Sequence, residues 1–333
     1  TGGGCPHILA EPQRTNLMTT SEPTTTGSFK TGVVFQTTDV FGWNGIYYGD
    51  NSVRRIAFFN SATTVGVDVT FSVFVKMTNG NAPTVGTSAS DDFKMYISSA
   101  ITTGLTIVNI GGGIYKCSVT KSASSVNSTI AIEKVAGNSA NTFEVSGFQV
   151  EEGSYATSYI PTSGSTVTRN KDIFTRDGIG SLINSTEGTF FAEISKPIDT
   201  VDAYQLISLN NNAANSDRNS VTIGFMLNTN KLFIRVKSSG SNVFQSSNQV
   251  SNADTFYKVA ISYKSGASKI YVDGSSITPN SGNISDTFTF DATLDKLSFD
   301  YNGNNGLPFY GNVRQLQVYD TALTDVQLAA LTS

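Results

Sequence analysis

The chain is poor in the side chains that handle protons, electrons and metals near neutral pH. One histidine, His7, and two cysteines, Cys5 and Cys117, are spread over 333 residues. Multi-histidine metal sites are therefore excluded, and a Ser-His-Asp arrangement would have to use His7. Cys117 alternates with Tyr115 and Val119. That spacing reads as a small buried hydrophobe, with pairing to Cys5 as the alternative. With no cysteine framework, hydrophobic cores must supply the stability. Charge is scarce too: Asp, Glu, Lys and Arg make up 14% of the chain, against about 25% in ordinary domains. The net charge is −4, which argues against nucleic acid and anionic membranes as partners. No apolar run reaches the roughly 18 residues of a membrane-spanning helix. The chain opens on Thr1 rather than Met, which reads as a fragment or a processed product.

Ser, Thr, Asn and Gly fill the gap left by charge, so hydroxyls and amides wet the surface, as in extracellular all-β proteins. Helical periodicity is nearly absent, and short alternating strands separated by turn residues dominate. In Val69 to Lys76, Val69, Phe71, Val73 and Val75 face one side while Thr70, Ser72, Phe74 and Lys76 face the other. Strands are expected near 32–36, 53–59, 67–77, 93–98, 105–109, 114–121, 128–135 and 143–151, enough for a jelly-roll sandwich. The second half predicts strands at 189–194, 203–209, 221–227, 231–237, 256–263, 269–272, 286–291, 294–301 and 311–319. Asp273-Gly274 supplies the two positive-φ residues of a type I′ hairpin. One helix is expected, at the end: Thr324 is its N-cap, Gln327 completes a capping box, and Val326, Leu328 and Leu331 would anchor it. The fold class is all-β: two β-sandwich domains in tandem, 1–162 and 172–333, joined by a linker at 163–171, with a short C-terminal helix.

The carboxylate pairs read as structural. Asp91-Asp92 sits in a turn before a strand. Glu151-Glu152 are neighbours on a strand end and point to opposite faces, so they cannot flank one glycosidic bond. Asp291 with Asp295 is the remaining pair. Gly111-Gly112-Gly113 lacks the Lys-Ser/Thr of a phosphate loop.

Sugar recognition needs flat aromatic faces with amides and carboxylates beside them. Trp43, the only tryptophan, lies in an aromatic stretch with Asn44, Tyr47, Tyr48 and Asp50. In a loop these five would form a stacking platform; otherwise Trp43 and Tyr47 are core residues of an irregular strand. Two oxygen-rich stretches, one with Asp217 and one with Asp300, Asn302 and Asn304, offer the ligand type calcium takes. Neither has EF-hand spacing, and Asn-Gly pairs also serve as plain turns.

Two resemblances add to this reading. Gly188 to Ile194, Tyr257 to Tyr263, Ile270 to Gly274 and Phe309 to Asp320 are similar, in order, to laminin-G-like or concanavalin A-like lectin domains; Tyr257 stands where that family often has Trp. The run from Glu151-Glu152-Gly153-Ser154-Tyr155 through Tyr159-Ile160-Pro161-Thr162 to Val167-Thr168-Arg169 resembles bacteriophage tail and tail-fibre proteins. So do Glu11 to Leu17 and Gly113 to Val119. That resemblance implies a first sandwich similar to carbohydrate-binding modules, a virion setting outside the cell, a homotrimer, and other virion proteins as partners. Together they imply a non-catalytic appendage that binds host cell-surface polysaccharide. The alternatives are a structural decoration or adaptor protein, and a glycan depolymerase.

Overall fold

The computed structural model describes residues 7–22, 34–36, 41–42, 46–49, 55–100, 105–135, 142–197, 204–213, 218–226, 231–247, 249, 251–280, 285–301 and 306–333, with the backbone alone at 34–36, 46–49, 55–59 and 100. Among the described residues the chain is all-β except for one short 3₁₀ turn, Gly180–Leu182, and the helix Asp325–Leu331. It divides into two compact units, one holding Gln13–Asn170 and the other Cys5–Pro12 with Lys171–Ser333.

In the first unit one sheet runs, in spatial order, Val34–Gln36, Ile46–Gly49, Phe143–Glu152, Asp68–Met77, Ile114–Ser122 and Leu105–Gly111; the second runs Arg55–Ala62, Asn127–Lys134, Phe93–Ile97 and Ser99–Ala100. The alternation of the Asp68–Met77 strand plays out as expected. Val69, Phe71, Val73 and Val75 enter the core with Phe93, Met95, Ile97, Ile130 and Ile132. Cys117 lies in this core as a free thiol, and burial pushes its pKa up to about 12. It is inert packing.

The outer face of the six-stranded sheet is closed by the segment that follows Glu152. The Gln149 side chain accepts from the Ile160 N–H at 2.6 Å and donates to the Ser158 carbonyl at 3.3 Å. Glu151 is fully buried and takes the Thr157 N–H at 2.9 Å as well as its hydroxyl. Lys116 donates to the Thr157 carbonyl, and Tyr159 stands edge-on to Phe74, 5.7 Å between centroids. Beneath them Asn16 uses both ends of its amide, donating to the Phe148 and Ile160 carbonyls and accepting from the Met18 and Val150 N–H groups. The strand Val167–Arg169 pairs with Arg14–Asn16.

In the second unit one sheet runs Ile8–Ala10, Gly311–Tyr319, Glu187–Ser195, Tyr257–Lys264, Lys269–Val272 and Ser275–Ile277; the other runs Thr175–Arg176, Lys296–Ser298, Gln205–Asn210, Ser220–Phe225, Leu232–Ser238 and Ser241–Ser246. Residues 8–10 thus belong to the second unit's sheet, with Ile8 opposite Val313 and Ala10 opposite Gly311. The Asp273-Gly274 turn has both positive φ values, 47° and 78°. The helix is capped by Thr324 and Gln327 as the sequence predicts. It lays Leu328 on Phe191, Ala260 and Tyr271, with Leu331 alongside.

Two expectations fail. Val326 is 80% exposed: it sits about 200° around the helix from Leu328, so a single short helix cannot seat both against one sheet. No strand forms at 286–291, and of 294–301 only Lys296–Ser298 is in a ladder. Phe288 and Phe290 alternate like strand residues. They share a face, as i and i+2 of a strand would, and pack together, 5.1 Å between centroids, with Tyr263 6.2 Å from Phe290, but no partner strand pairs with their backbone.

Candidate functional site

The second unit's sheet containing Gln205–Asn210, Ser220–Phe225 and Leu232–Ser238 has an apolar face and a polar one. Ile207, Leu209, Val221, Ile223, Ile234 and Val236 go to the core. Pleating sends their neighbours to the other side, where the register aligns them in rows. Ser298, Ser208, Thr222, Arg235 and Gln245 form one row, and Lys296, Asn210, Ser220 and Lys237 the next. Leu206, Gly224 and Phe233 form a third. Gly224 is obligatory there, since a Cβ would stand 2.1 Å from the Gln205 carbonyl oxygen.

One end of this face is saturated. Asn210 donates to Ser208 and Ser298, both at 2.9 Å, and Ser208 donates to the Asp300 carbonyl at 2.7 Å. The other end is not. There Tyr301 is surrounded by cations: the Arg218 guanidinium carbon lies 4.1 Å from the ring centroid, that of Arg235 4.8 Å, and the Lys237 ammonium 5.8 Å. Lys237 also donates to the Tyr301 hydroxyl at 3.2 Å. Arg235 stacks on Phe233 at 4.8 Å, and Phe233 meets the edge of Tyr204 at 4.9 Å.

Several polar atoms of this cluster lack a hydrogen-bond partner: Nε and Nη1 of Arg218, Nε of Arg235, Oγ of Ser220 and Oγ1 of Thr222. Arg218 is only 1% exposed. Among the described residues, no carboxylate pairs with any of the three cations. Burial holds the Arg235 guanidinium below its ordinary pKa, with Tyr301 opposing that shift and Arg218 adding to it. Burial pushes the Tyr301 phenol up, but Arg235, with hydrogen bonds from Arg218 and Lys237, outweighs it and brings the net value below the ordinary one. The cluster is a largely buried electropositive patch with spare N–H and O–H donors.

The residues singled out from sequence are placed as follows. Trp43, Asn44, Asp50, Asp217, Asn302 and Asn304 lie outside the described residues. Tyr47 and Tyr48 lie in the strand Ile46–Gly49, opposite Val145 and Glu144. Asp300 is buried, and its carbonyl serves Ser208. No group of three or more His, Cys, Asp or Glu side chains gathers among the described residues. The carboxylate pairs serve the backbone: Asp92 takes the Thr84 N–H at 2.8 Å, Asp91 the Ser88 N–H at 2.7 Å, and Glu152 the Thr64 N–H at 2.6 Å. Asp291 borders a cleft of about 390 Å³ with Ser185, Thr186, Ser265 and Phe290. Its carboxylate accepts from Asn219 at 2.5 Å and Ser239 at 3.0 Å. These bonds, Asn219 first, hold it below the usual carboxylate range. His7 packs edge-on to Phe256.

Residues 182–329 match the family model of the concanavalin A-like lectin/glucanases superfamily (Laminin_G_3). The second unit is lectin-like. Among solved structures, the chain is similar to the CBM40 of the IT-sialidase of Ruminococcus gnavus bound to α2,3-sialyllactose. That match has 16% identity over 48% of this chain and 98% of that one, with a TM-score of 0.38. Domain 4 of AbnA, a GH43 extracellular arabinanase from Geobacillus stearothermophilus, in complex with arabinotriose, matches with 20% identity over 51% and 73%, TM-score 0.33. A heptameric SAP-like pentraxin from Limulus polyphemus matches with 17% identity over 45% and 70%, TM-score 0.34. No curated protein matches the chain.

The sequence reading overlooked the cationic cluster. A signal was present: in Leu232-Phe233-Ile234-Arg235-Val236-Lys237-Ser238 two cations alternate with core residues. Tyr301 was inside a loop read for its oxygens.

Proposed function

We propose that this chain is a glycan-binding, non-catalytic component of a bacteriophage appendage, acting outside the cell on host-surface polysaccharide. The observation that carries the reading is the polar sheet face of the lectin-like second unit. It sets Arg235 and Lys237 around the ring of Tyr301 above buried serine and threonine hydroxyls, and part of that donor set is unspent. Hydroxyl-rich rings need this combination of aromatic surface and directed donors. The virion setting, a homotrimeric assembly and contacts with other virion proteins rest on the resemblance of the 151–169 segment to tail-fibre proteins. The absence of turnover rests on the commitment of Asp91, Asp92, Glu151 and Glu152 to local hydrogen bonds.

A glycan array probed with the whole chain, with calcium and again with chelator, tests the reading. Binding to at least one polysaccharide is expected. Silence under both conditions would remove it, and release of new reducing ends from a bound glycan would turn it into an enzyme. One observation favours a second reading, a structural virion part: the edge strand Leu105–Gly111 exposes Ile107, Val108 and Ile110, a surface suited to pairing between copies.

A further inference from the structure

We infer that the saccharide held by the second unit is acidic, its acid group seated among Arg218, Arg235 and Lys237 beside Tyr301. This rests on the glycan-binding reading and narrows it.

The argument starts from cost. A guanidinium taken out of water without a counter-charge or a full set of acceptors is expensive. Arg218 is almost wholly buried, yet two of its nitrogens have no acceptor. Arg235 adds a third unserved nitrogen. Both guanidinium carbons lie within 4.8 Å of one phenol ring centroid, so two like charges are held close together. Stacking on Tyr301 returns part of the cost, and its hydroxyl takes one hydrogen bond, but Nε and Nη1 of Arg218 and Nε of Arg235 stay unserved. An anion supplies what is missing: a counter-charge and several acceptor oxygens at once. Planar guanidinium forks suit carboxylate, sulfate and phosphate oxygens.

The surroundings fit a sugar acid better than a free ion. Thr222 is the cross-strand partner of Arg235, and Ser220 that of Lys237. Each cation is therefore flanked by a buried hydroxyl with an unused bond, which adds to the donors left short around the acid group. Phe233 and Tyr204 extend the cluster with aromatic surface. The chain as a whole is acidic, with a net charge of −4. General attraction to polyanions is therefore disfavoured, and selectivity has to come from these local contacts.

The experiment compares immobilised oligosaccharides that differ only in the acid: a uronic-acid chain, its carboxyl-reduced counterpart, and the neutral chain bearing sulfate. The uronic or the sulfated member should bind at least 10-fold more tightly than the neutral one, and whichever it is names the acid. Arg235→Gln and Lys237→Gln should each weaken that binding about 10-fold and flatten its dependence on salt. Lys264→Gln, in the other sheet, should change neither. Because Arg218→Gln risks misfolding, the two more accessible positions carry the test. Equal binding to the acidic and neutral members, or equal losses in all three variants, would overturn the inference while leaving glycan binding intact. Failure to bind any member, together with a silent array, would overturn both.

Discussion

The two units put polar residues on the outer face of a large sheet and use them in opposite ways. In the first unit those groups are spent. Gln149, Glu151, Lys116 and Asn16 all reach the segment 157–160, which lies across the sheet as a strap. In the second unit Asn210, Ser208 and Ser298 are spent on one another, while Arg218, Arg235, Ser220 and Thr222 retain donors with nothing to serve. A buried polar group that is fully hydrogen-bonded organises the fold; one left short is a standing cost that an external partner can relieve. The comparison therefore sets a saturated polar face against a cationic cluster that retains donors.

The strongest way to break the comparison is at Asn16. Asn16→Ala deletes four buried hydrogen bonds and leaves the Val150 and Met18 N–H groups and the Ile160 carbonyl without their partner. Destabilisation of about 3 kcal/mol is expected from such orphaned groups, read from the denaturation midpoint of the first unit. A change under about 0.5 kcal/mol would mean that the strap is not held this way. The matching change in the second unit has the opposite expectation. Arg218→Met removes a buried cation that lacks full partners, so stability should stay within about 1 kcal/mol of the parent or rise. A loss as large as that of Asn16→Ala would place Arg218 among the spent groups and undercut the site.

The part of this contrast that was legible in the sequence is the part carried by short-range pattern. Alternation located Asp68–Met77 and Tyr257–Lys264, the Asp273-Gly274 pair gave its hairpin, and Thr324 with Gln327 gave the helix start. Three residues at Ile8–Ala10 have no period to read, and their partner strand lies some 300 positions away, so their place in the second unit was invisible. Phe288 and Phe290 show that alternation without a ladder partner is not a strand. The candidate site fails for the same non-local reason. Arg235 and Lys237 share a face by simple pleating, but Arg218 joins them from just before the neighbouring strand and Tyr301 from the turn after Lys296–Ser298.

Titration of two tyrosines sharpens the comparison without a stability measurement. Tyr159, in the strap, is held above its ordinary pKa: burial raises it, the Ser21 hydrogen bond opposes, and Glu22 adds to the rise. Tyr301 is held below. In an alkaline absorbance titration Tyr301→Phe should remove the earliest-ionising phenol, and Tyr159→Phe should leave that early part unchanged. The stability signs follow from linkage. The contribution from Tyr159 is present below the unfolded tyrosine pKa of about 10 and is lost as pH rises above it. The contribution from Tyr301 is present above that value and is lost as pH falls through its lower folded pKa. An unchanged early phase in Tyr301→Phe would show that the cations do not reach the phenol.

The smallest effect lies on the second unit's other sheet, whose outer face is covered by the terminal helix. There Asp325 accepts from Lys269 at 2.7 Å and from Tyr271 at 2.9 Å. These bonds, Lys269 first, hold its carboxyl below the ordinary range. A depressed folded pKa gives a contribution that is present above the unfolded aspartate value of about 3.9 and disappears as pH falls through the folded one. Asp325 is exposed, so solvent and salt screen it and the effect is small. Asp325→Asn should shallow the acid limb of a melting-temperature profile below about pH 4 and leave the neutral plateau nearly unmoved. Because this carboxylate is already paired, the same substitution should not alter glycan binding. A binding change here would mean that the helix-covered sheet, rather than the one bearing Arg235 and Lys237, carries the ligand.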